Sequence, residues 1–247
     1  MGDFTLMFLG SGDAFGSGGR FQTCMLGIAG STRFLIDCGT SALIALKARK
    51  IDPAAIDIVL ITHLHGDHFG GLPFYLIDAR FISKRTTPLM LVGPPGLESR
   101  LRAAMEVFFP GSSASLDAIA VQISEWESGC TQKLGPLTVT PRLVAHESGA
   151  PPFGLRIEYG DKLLAYSGDS EWTPALLDVA SGADLFICES CFYDRKIKNH
   201  LDYQTLLVHR DEFDCKRLIL THFSDEMLDR LPELENEYAE DGLHVTI

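Results

Sequence analysis

Apolar residues cluster along the chain in many short runs separated by turn-forming Gly, Pro, Asp and Asn, and the period within each run predicts its structure. Runs of strand character cover residues 5–9, 23–29, 33–36, 57–62, 89–92, 120–125, 137–144, 154–159, 163–166, 185–188, 217–220 and 244–247. Helical spacing covers 41–49, 69–82, 96–108, 174–180, 202–213 and 225–238. Strands this apolar need cover on both faces, which predicts an α/β architecture of two sheets enclosed by outer helices. No linker or low-complexity stretch interrupts the order, so residues 1–247 are expected to form a single domain. A faint internal echo runs through it. Leu60-Ile61-Thr62-His63 and Ile219-Leu220-Thr221-His222 each carry an apolar strand straight into Thr-His, with Asp67 and Asp225 shortly after. Two strand ends would thus deliver histidines to one rim, as in a fold of two similar halves facing a shared site.

Composition narrows the class. A hydrophobic fraction of 46% over 247 residues is ample for a buried core. The opening Phe4-Thr5-Leu6-Met7-Phe8-Leu9 is too short to span a bilayer and lacks the basic flank of a signal peptide, so a cytoplasmic protein without membrane contact is expected. Six cysteines are too dilute for a disulfide scaffold and read as reduced thiols, mostly buried, Cys188 and Cys191 of the C-x-x-C among them. The formal charge is −12, concentrated in residues 224–241, where eight acids face the single base Arg230. That balance opposes non-specific binding to phosphate backbones and disfavours extended nucleic acid as a partner. The small basic clusters Lys47-Arg49-Lys50, Lys84-Arg85 and Arg195-Lys196-Lys198 read as solvated faces.

Candidate chemistry concentrates in His63-Leu64-His65-Gly66-Asp67-His68. Three imidazoles and a carboxylate, placed after a strand and before a helix, can converge on a metal because a turn can point them to one side, which a strand or helix alone cannot do. Three more candidates follow at strand ends: His146, Asp169 within Tyr166-Ser167-Gly168-Asp169-Ser170, and His222. Taken singly, each would more often be a hydrogen-bonded structural residue. Their order is what singles them out.

The H-x-H-x-D-H pattern resembles the signature of the metallo-β-lactamase superfamily, and the later candidates extend the resemblance over nearly the whole chain. It implies a four-layer αββα sandwich. It also implies that His63, His65 and His146 hold one divalent metal, that Asp67, His68 and His222 hold a second, and that Asp169 bridges them, with Asp67 counted among the catalytic groups too. Leu9-Gly10-Ser11-Gly12-Asp13-Ala14-Phe15 resembles the family's opening strand and glycine turn, and Asp37-Cys38-Gly39 its D-x-G turn; both read as structural. Two such metals can share a water and lower its pKa towards about 7, giving a metal-bridging hydroxide. A donor set of His and Asp favours zinc, with manganese or iron as alternatives. Members with a redox di-iron centre usually carry Glu in place of His65, which speaks against oxygen chemistry here.

Two further residues resemble the ribonuclease Z branch. Its proton-donating histidine precedes the last ligand in a helix-starting context, as His200 does in Asn199-His200-Leu201-Asp202, and Glu189 in Cys188-Glu189-Ser190 matches the strand-end Glu that orients it. A phosphodiester leaves as an alkoxide and needs that proton. Members that process transfer RNA precursors carry a long arm between the ligands corresponding to His146 and Asp169, for which this chain has no room. The resemblance therefore implies a phosphodiesterase acting on a small or cyclic phosphodiester, with Pro151-Pro152-Phe153-Gly154 at the pocket mouth and Phe15, Phe69 and Trp172 as candidate walls. A thioester or lactone hydrolase of the glyoxalase II or lactonase type would use the same seven ligands without needing His200, and a ribonuclease Z-like RNA endonuclease is a further alternative. A secreted β-lactamase is disfavoured because those enzymes usually lack Asp at the position of Asp169. A binding protein without catalysis would be expected to have lost ligands. His209 and His244 read as structural, and the oligomeric state stays open, a homodimer being one option.

Overall fold

The computed structural model describes residues 2–247. Among them, β1 (Phe4–Gly10), β2 (Cys24–Ala29), β3 (Thr32–Ile36), β4 (Ile58–Leu60), β5 (Leu89–Gly93) and β6 (Val121–Glu125) build a first sheet. A second holds β7 (Gln132–Leu134), β8 (Leu137–Leu143), β9 (Phe153–Tyr159), β10 (Lys162–Tyr166), β11 (Leu185–Glu189), β12 (Leu218–Thr221) and β13 (Glu237–Tyr238), while β14 (His244–Thr246) returns to the first sheet beside β1. Each sheet changes from antiparallel to parallel part-way across. The change comes at β3 in the first and at β10 in the second, and the parallel strands run out through β4, β5 and β6 and through β11, β12 and β13. The echo between Thr62-His63 and Thr221-His222 joins places one strand out of step: β4 lies next to the strand where the first sheet changes direction, whereas β12 lies two strands beyond that point in the second.

The period-2 alternation of the strands sorts their side chains into three cores. Phe34 and Ile36 of β3 and Ile219 of β12 point between the sheets and meet Phe8, Leu60, Leu137, Leu155, Tyr166 and Ile187. Their neighbours Leu35 and Val59 point outward beneath α1 (Ala42–Ala48), α2 (Gly66–Phe69), α3 (Leu72–Phe81), α4 (Leu97–Phe108) and α5 (Ser115–Ala118), packing on Leu46, Leu72, Leu76 and Leu101. Phe186 and Leu220 do the same under α6 (Ala175–Ala180), α7 (Tyr203–Val208) and α8 (Asp225–Leu228), against Leu176, Leu206 and Met227. Each such side chain contributes about 1.5–3 kcal/mol by leaving water. Burial on both faces is why the strands read as continuous apolar runs. The layers are αββα, as expected.

Three expected helices differ. The run 69–82 is broken by Gly70 and Gly71, which separate α2 from α3. The run 202–213 ends as α7 at Val208, followed by a 3-10 turn at Arg210–Glu212. The run 225–238 is a helix only in α8; Pro232, which has no backbone N–H to donate, sits at the start of a 3-10 turn at Leu231–Glu233, and Glu237–Tyr238 then pairs with β12 as an edge strand. No helix among the described residues is long and apolar enough to cross a membrane.

The ends of β3, β4, β8, β10, β11 and β12 are followed by Asp37, His63, His146, Asp169, Ser190 and His222, and open on a common rim. Across that rim Phe153 N donates to Thr62 O at 3.0 Å and His222 N to Ser11 O at 3.1 Å, tying the sheets together. Placing polar groups at the carboxyl ends of strands leaves the hydrophobic layers intact and presents the site to solvent.

Candidate metal centre

All seven expected ligands meet at the rim. Donor atoms of His63, His65 and His146 lie within 4.8 Å of one another, as do those of Asp67, His68, Asp169 and His222. Asp169 stands between the two groups: its Oδ2 is 3.7 Å from His63 Nε2, 3.3 Å from His68 Nε2 and 3.4 Å from His222 Nε2. The turn that bends His63 through His68 towards the others is packed against the D-x-G segment, where a Cβ on Gly39 would come 2.3 Å from Asp67 O. Only glycine allows that approach.

Asp37, in the D-x-G turn, does more than shape the loop: it sets the proton positions of two histidines. Fully buried, it accepts from Thr62 N at 2.8 Å and from Thr62 Oγ1 at 2.9 Å, and faces His68 Nδ1 at 2.7 Å. An ionised carboxylate only accepts, so the His68 proton sits on Nδ1. Thr62 Oγ1, its own proton given to Asp37, accepts from His63 Nδ1 at 3.1 Å. His146 Nδ1 donates in the same way to Asn199 O at 2.8 Å. In each ring the Nε2 lone pair is thereby turned into the site. The buried His63 Nε2, His68 Nε2 and Asp169 Oδ1 have no hydrogen-bond partner among the described residues. Convergent, desolvated nitrogen and oxygen donors with fixed tautomers fit divalent cations of the zinc class.

The electrostatics agree. Burial opposes ionisation of Asp169, yet His222 and His68 hold it well below the usual carboxylate range. Burial likewise opposes charge on His68, but Asp169, Asp67 and Asp37 lift it well above an ordinary histidine, and Asp169 does the same for His222. His63 is pushed well down, by burial first and by His68 next. Two carboxylates that must stay ionised, matched by imidazoles that otherwise protonate, form a pocket of negative potential that cations neutralise.

His200 and Glu189 join this cluster. Glu189, fully buried at the end of β11, accepts from Ser170 N at 2.6 Å, and each of its oxygens lies 3.2 Å from His200 Nδ1. His200 lies two residues before Asp202, whose carboxylate caps α7 by accepting from Thr205 N at 2.9 Å. Burial works against a charged His200, but Glu189 outweighs it and leaves the imidazole above its ordinary pKa. The ring stacks on His222 at 5.6 Å between centroids.

A cavity of about 430 Å³ opens beside these rings, walled by Phe15, Phe192, Arg195, His200, His222 and Glu226 among others. Phe15, expected as a wall, is there and 92% exposed. Trp172 lines a separate cavity of about 270 Å³ on another side of His200. Phe69 is instead packed into the core beneath α3, and Phe153 lies between the sheets. Arg195, read from sequence as a solvated base, crosses the face of Phe192 at 4.2 Å and pairs with Glu226 at 3.1 Å. Asn199, Phe192 and Arg195 carried no motif; the only signal was their nearness to His200. Between His146 and Asp169 the chain forms the hairpin of β9 and β10, closed by the two-residue turn Gly160-Asp161.

Comparison with known proteins places the fold. Residues 4–239 match the model of the family described as Anti-Pycsar protein Apyc1. An uncharacterised protein of Mycobacterium tuberculosis is 37% identical over 158 residues, a match covering 63% of this chain and only 56% of that protein's length. A ribonuclease Z of Lachnoclostridium phytofermentans is 26% identical over 257 residues, covering 85% of this chain and 84% of the relative. The crystal structure of the metallo-β-lactamase fold protein YhfI from Bacillus subtilis superposes with a TM-score of 0.79 at 18% identity, covering 100% of both chains. The αββα sandwich is the metallo-β-lactamase fold, and the relatives include ribonuclease Z proteins.

Proposed function

The chain belongs to the Anti-Pycsar protein Apyc1 family, and from that premise we propose that it is a dinuclear metal-dependent phosphodiesterase acting on a small or cyclic phosphodiester, an anti-Pycsar role following from the family. In this reading His63, His65 and His146 hold one cation, Asp67, His68 and His222 hold another, and Asp169 spans them. Zinc suits the donors, with manganese or iron as alternatives. Such ions acidify water and draw charge from a phosphoryl oxygen.

The chain's own residues supply the rest. Asp37 and Asn199 keep the ligand nitrogens deprotonated towards the site. Glu189 holds His200 by its Nδ1 edge, which leaves the Nε2 edge to give a proton to the departing oxygen. That pair is the observation that carries the proposal. A thiolate leaves readily at neutral pH, whereas an alkoxide does not, so a buried carboxylate dedicated to a charged imidazole suits a phosphodiester better than a thioester. A cavity of about 430 Å³ suits a drug-sized or nucleotide-sized substrate. The tight β9–β10 hairpin stands where a transfer-RNA-binding arm would be inserted.

Protein reloaded with zinc or manganese should contain about two metals per chain, and Asp169→Ala should lose metal and activity together. On a substrate panel, chromogenic phosphodiesters and cyclic nucleotides should be turned over faster than thioesters, lactones, β-lactams or precursor transfer RNA. A thioester or lactone far outpacing every diester would replace the proposal with the glyoxalase II or lactonase reading, and efficient 3′ processing of precursor transfer RNA would replace it with the endonuclease one.

A further inference from the structure

The five histidines of the centre differ in what holds their outer edges. Nδ1 of His63, His68 and His146 meets an oxygen, respectively Thr62 Oγ1 at 3.1 Å, Asp37 Oδ2 at 2.7 Å and Asn199 O at 2.8 Å. His65 is partly open to solvent. His222 is the exception. Its Nε2 faces Asp67 Oδ2 at 3.3 Å and Asp169 Oδ2 at 3.4 Å, while its Nδ1 is buried without a hydrogen-bond partner among the described residues. Cys191 Sγ lies within 4.8 Å of a His222 ring nitrogen, and Nε2 is the one already facing the two carboxylates.

We infer that Cys191 is a positioning residue for His222, its thiol backing the Nδ1 edge of the imidazole and its carbonyl fixing the turn that carries it. The inference rests on the metal-binding reading proposed above. Two backbone observations support it independently of the sulfur. His222 adopts φ 66, a left-handed conformation that a residue with a side chain keeps only where neighbours over-determine it. Two neighbours bracket it: Ser11 O accepts from His222 N at 3.1 Å, and the Cys191 carbonyl accepts from Ser224 N at 3.0 Å and from Ser224 Oγ at 2.6 Å, just beyond His222. Cys191 N in turn donates to Leu201 O at 3.0 Å, next to His200. One residue therefore keys the segments carrying the last expected ligand and the expected proton donor. Its role explains why the second cysteine of the C-x-x-C is buried at the cavity wall without a disulfide partner.

Sulfur is a weaker acceptor than the carboxylate behind His68, so His222 is the softer of the two imidazoles assigned to its cation. Outer partners of metal-bound histidines typically govern affinity by about 10- to 100-fold. The test uses the full chain and three substitutions, Cys191→Ala, Cys191→Val and Cys191→Ser, with zinc affinity read by competition against a chromophoric chelator and folding by circular dichroism. Wild type should bind about two ions. Ala and Val, which lack an acceptor, should keep one ion at wild-type affinity and bind the other about 10- to 100-fold more weakly; Ser, which restores an acceptor, should recover most of the loss. Val keeps the volume, so it reports on the acceptor even if Ala fails to fold. Wild-type affinity for both ions in Val, or a loss in Ser as deep as in Val, overturns the inference while leaving the metal centre standing. A wild-type protein that binds no ion overturns both.

Discussion

His200→Ala is the perturbation with the most distinctive expected outcome. The imidazole is fixed by two contacts of 3.2 Å to the oxygens of Glu189, and Glu189 is itself held by Ser170 N at 2.6 Å, so neither group has freedom to be lost on reaching the transition state. A proton donor placed this way accelerates departure of a poor leaving group by about 10²- to 10⁴-fold, or about 3–5 kcal/mol of barrier. The same donor adds little when the leaving group is a nitrophenolate, which departs unprotonated at neutral pH. His200→Ala should therefore lose about 10²- to 10⁴-fold in kcat/KM on an alkyl or cyclic phosphodiester and less than about tenfold on a nitrophenyl one, with metal content unchanged. Removing the imidazole leaves Glu189 buried with the Ser170 N–H but without its charged partner, which destabilises the fold. The companion variant His200→Ala/Glu189→Gln removes that charge and should show the same substrate split with a higher melting temperature. Single-turnover rates on both substrates, with metal measured on the same samples, decide the matter. Equal losses on the two leaving groups would assign His200 to binding or positioning, and loss of metal would make it a ligand.

Asp37→Asn keeps the size of the side chain but can offer an N–H to His68 Nδ1, forcing the proton to Nε2; zinc affinity should fall about 10- to 100-fold, with a folding cost of about 1–3 kcal/mol, as read by chelator competition and urea denaturation. Wild-type zinc affinity in this variant would remove Asp37 from the account of the tautomers. Chelation should lower the melting temperature of the loaded protein, because each ion present at about 100 times its Kd adds about 2.7 kcal/mol, equivalent to about 5–10 °C in a chain of this size. A melting curve indifferent to chelator would mean that the loaded ions sit elsewhere.

Much of this arrangement was legible in the chain because the ligand groups follow apolar strands directly, and a strand that must be buried fixes where its last residue goes. His63 and Asp169 are each the third residue beyond a strand, β4 and β10, and His222 is the first beyond β12, so sequence order and spatial order coincide. What escaped depends on contacts between distant segments. The D-x-G pattern marks Asp37 as a turn residue but not as the acceptor for both Thr62 and His68, and the basic run at Arg195 carries no sign of the Phe192 and Glu226 that surround it. The edge strands Gln132–Leu134 and Glu237–Tyr238 are too short to show a period, and the second lies inside an acidic run whose spacing imitates a helix. Pro232 was the available signal against that helix.

The same acidic run bears on what the cavity admits. Ser224, Asp225 and Glu226, at its beginning, line it together with Asp13, which accepts from Ser17 N at 3.0 Å and Ser17 Oγ at 2.8 Å; Asp225 accepts from Gly18 N at 2.9 Å. These carboxylates hold the loop that carries Phe15. Arg195, the base among the lining residues, is already paired with Glu226. A polyanion threading the cavity would bring its flanking phosphates against uncompensated acids, a repulsion that falls within the screening length at physiological salt. On the proposed function, a compact diester would present a single phosphate to the cation-binding cluster and its uncharged remainder to Phe15 and Phe192. The wall chemistry and the short β9–β10 hairpin thus both support the proposed reading of a substrate with a single phosphodiester over a strand.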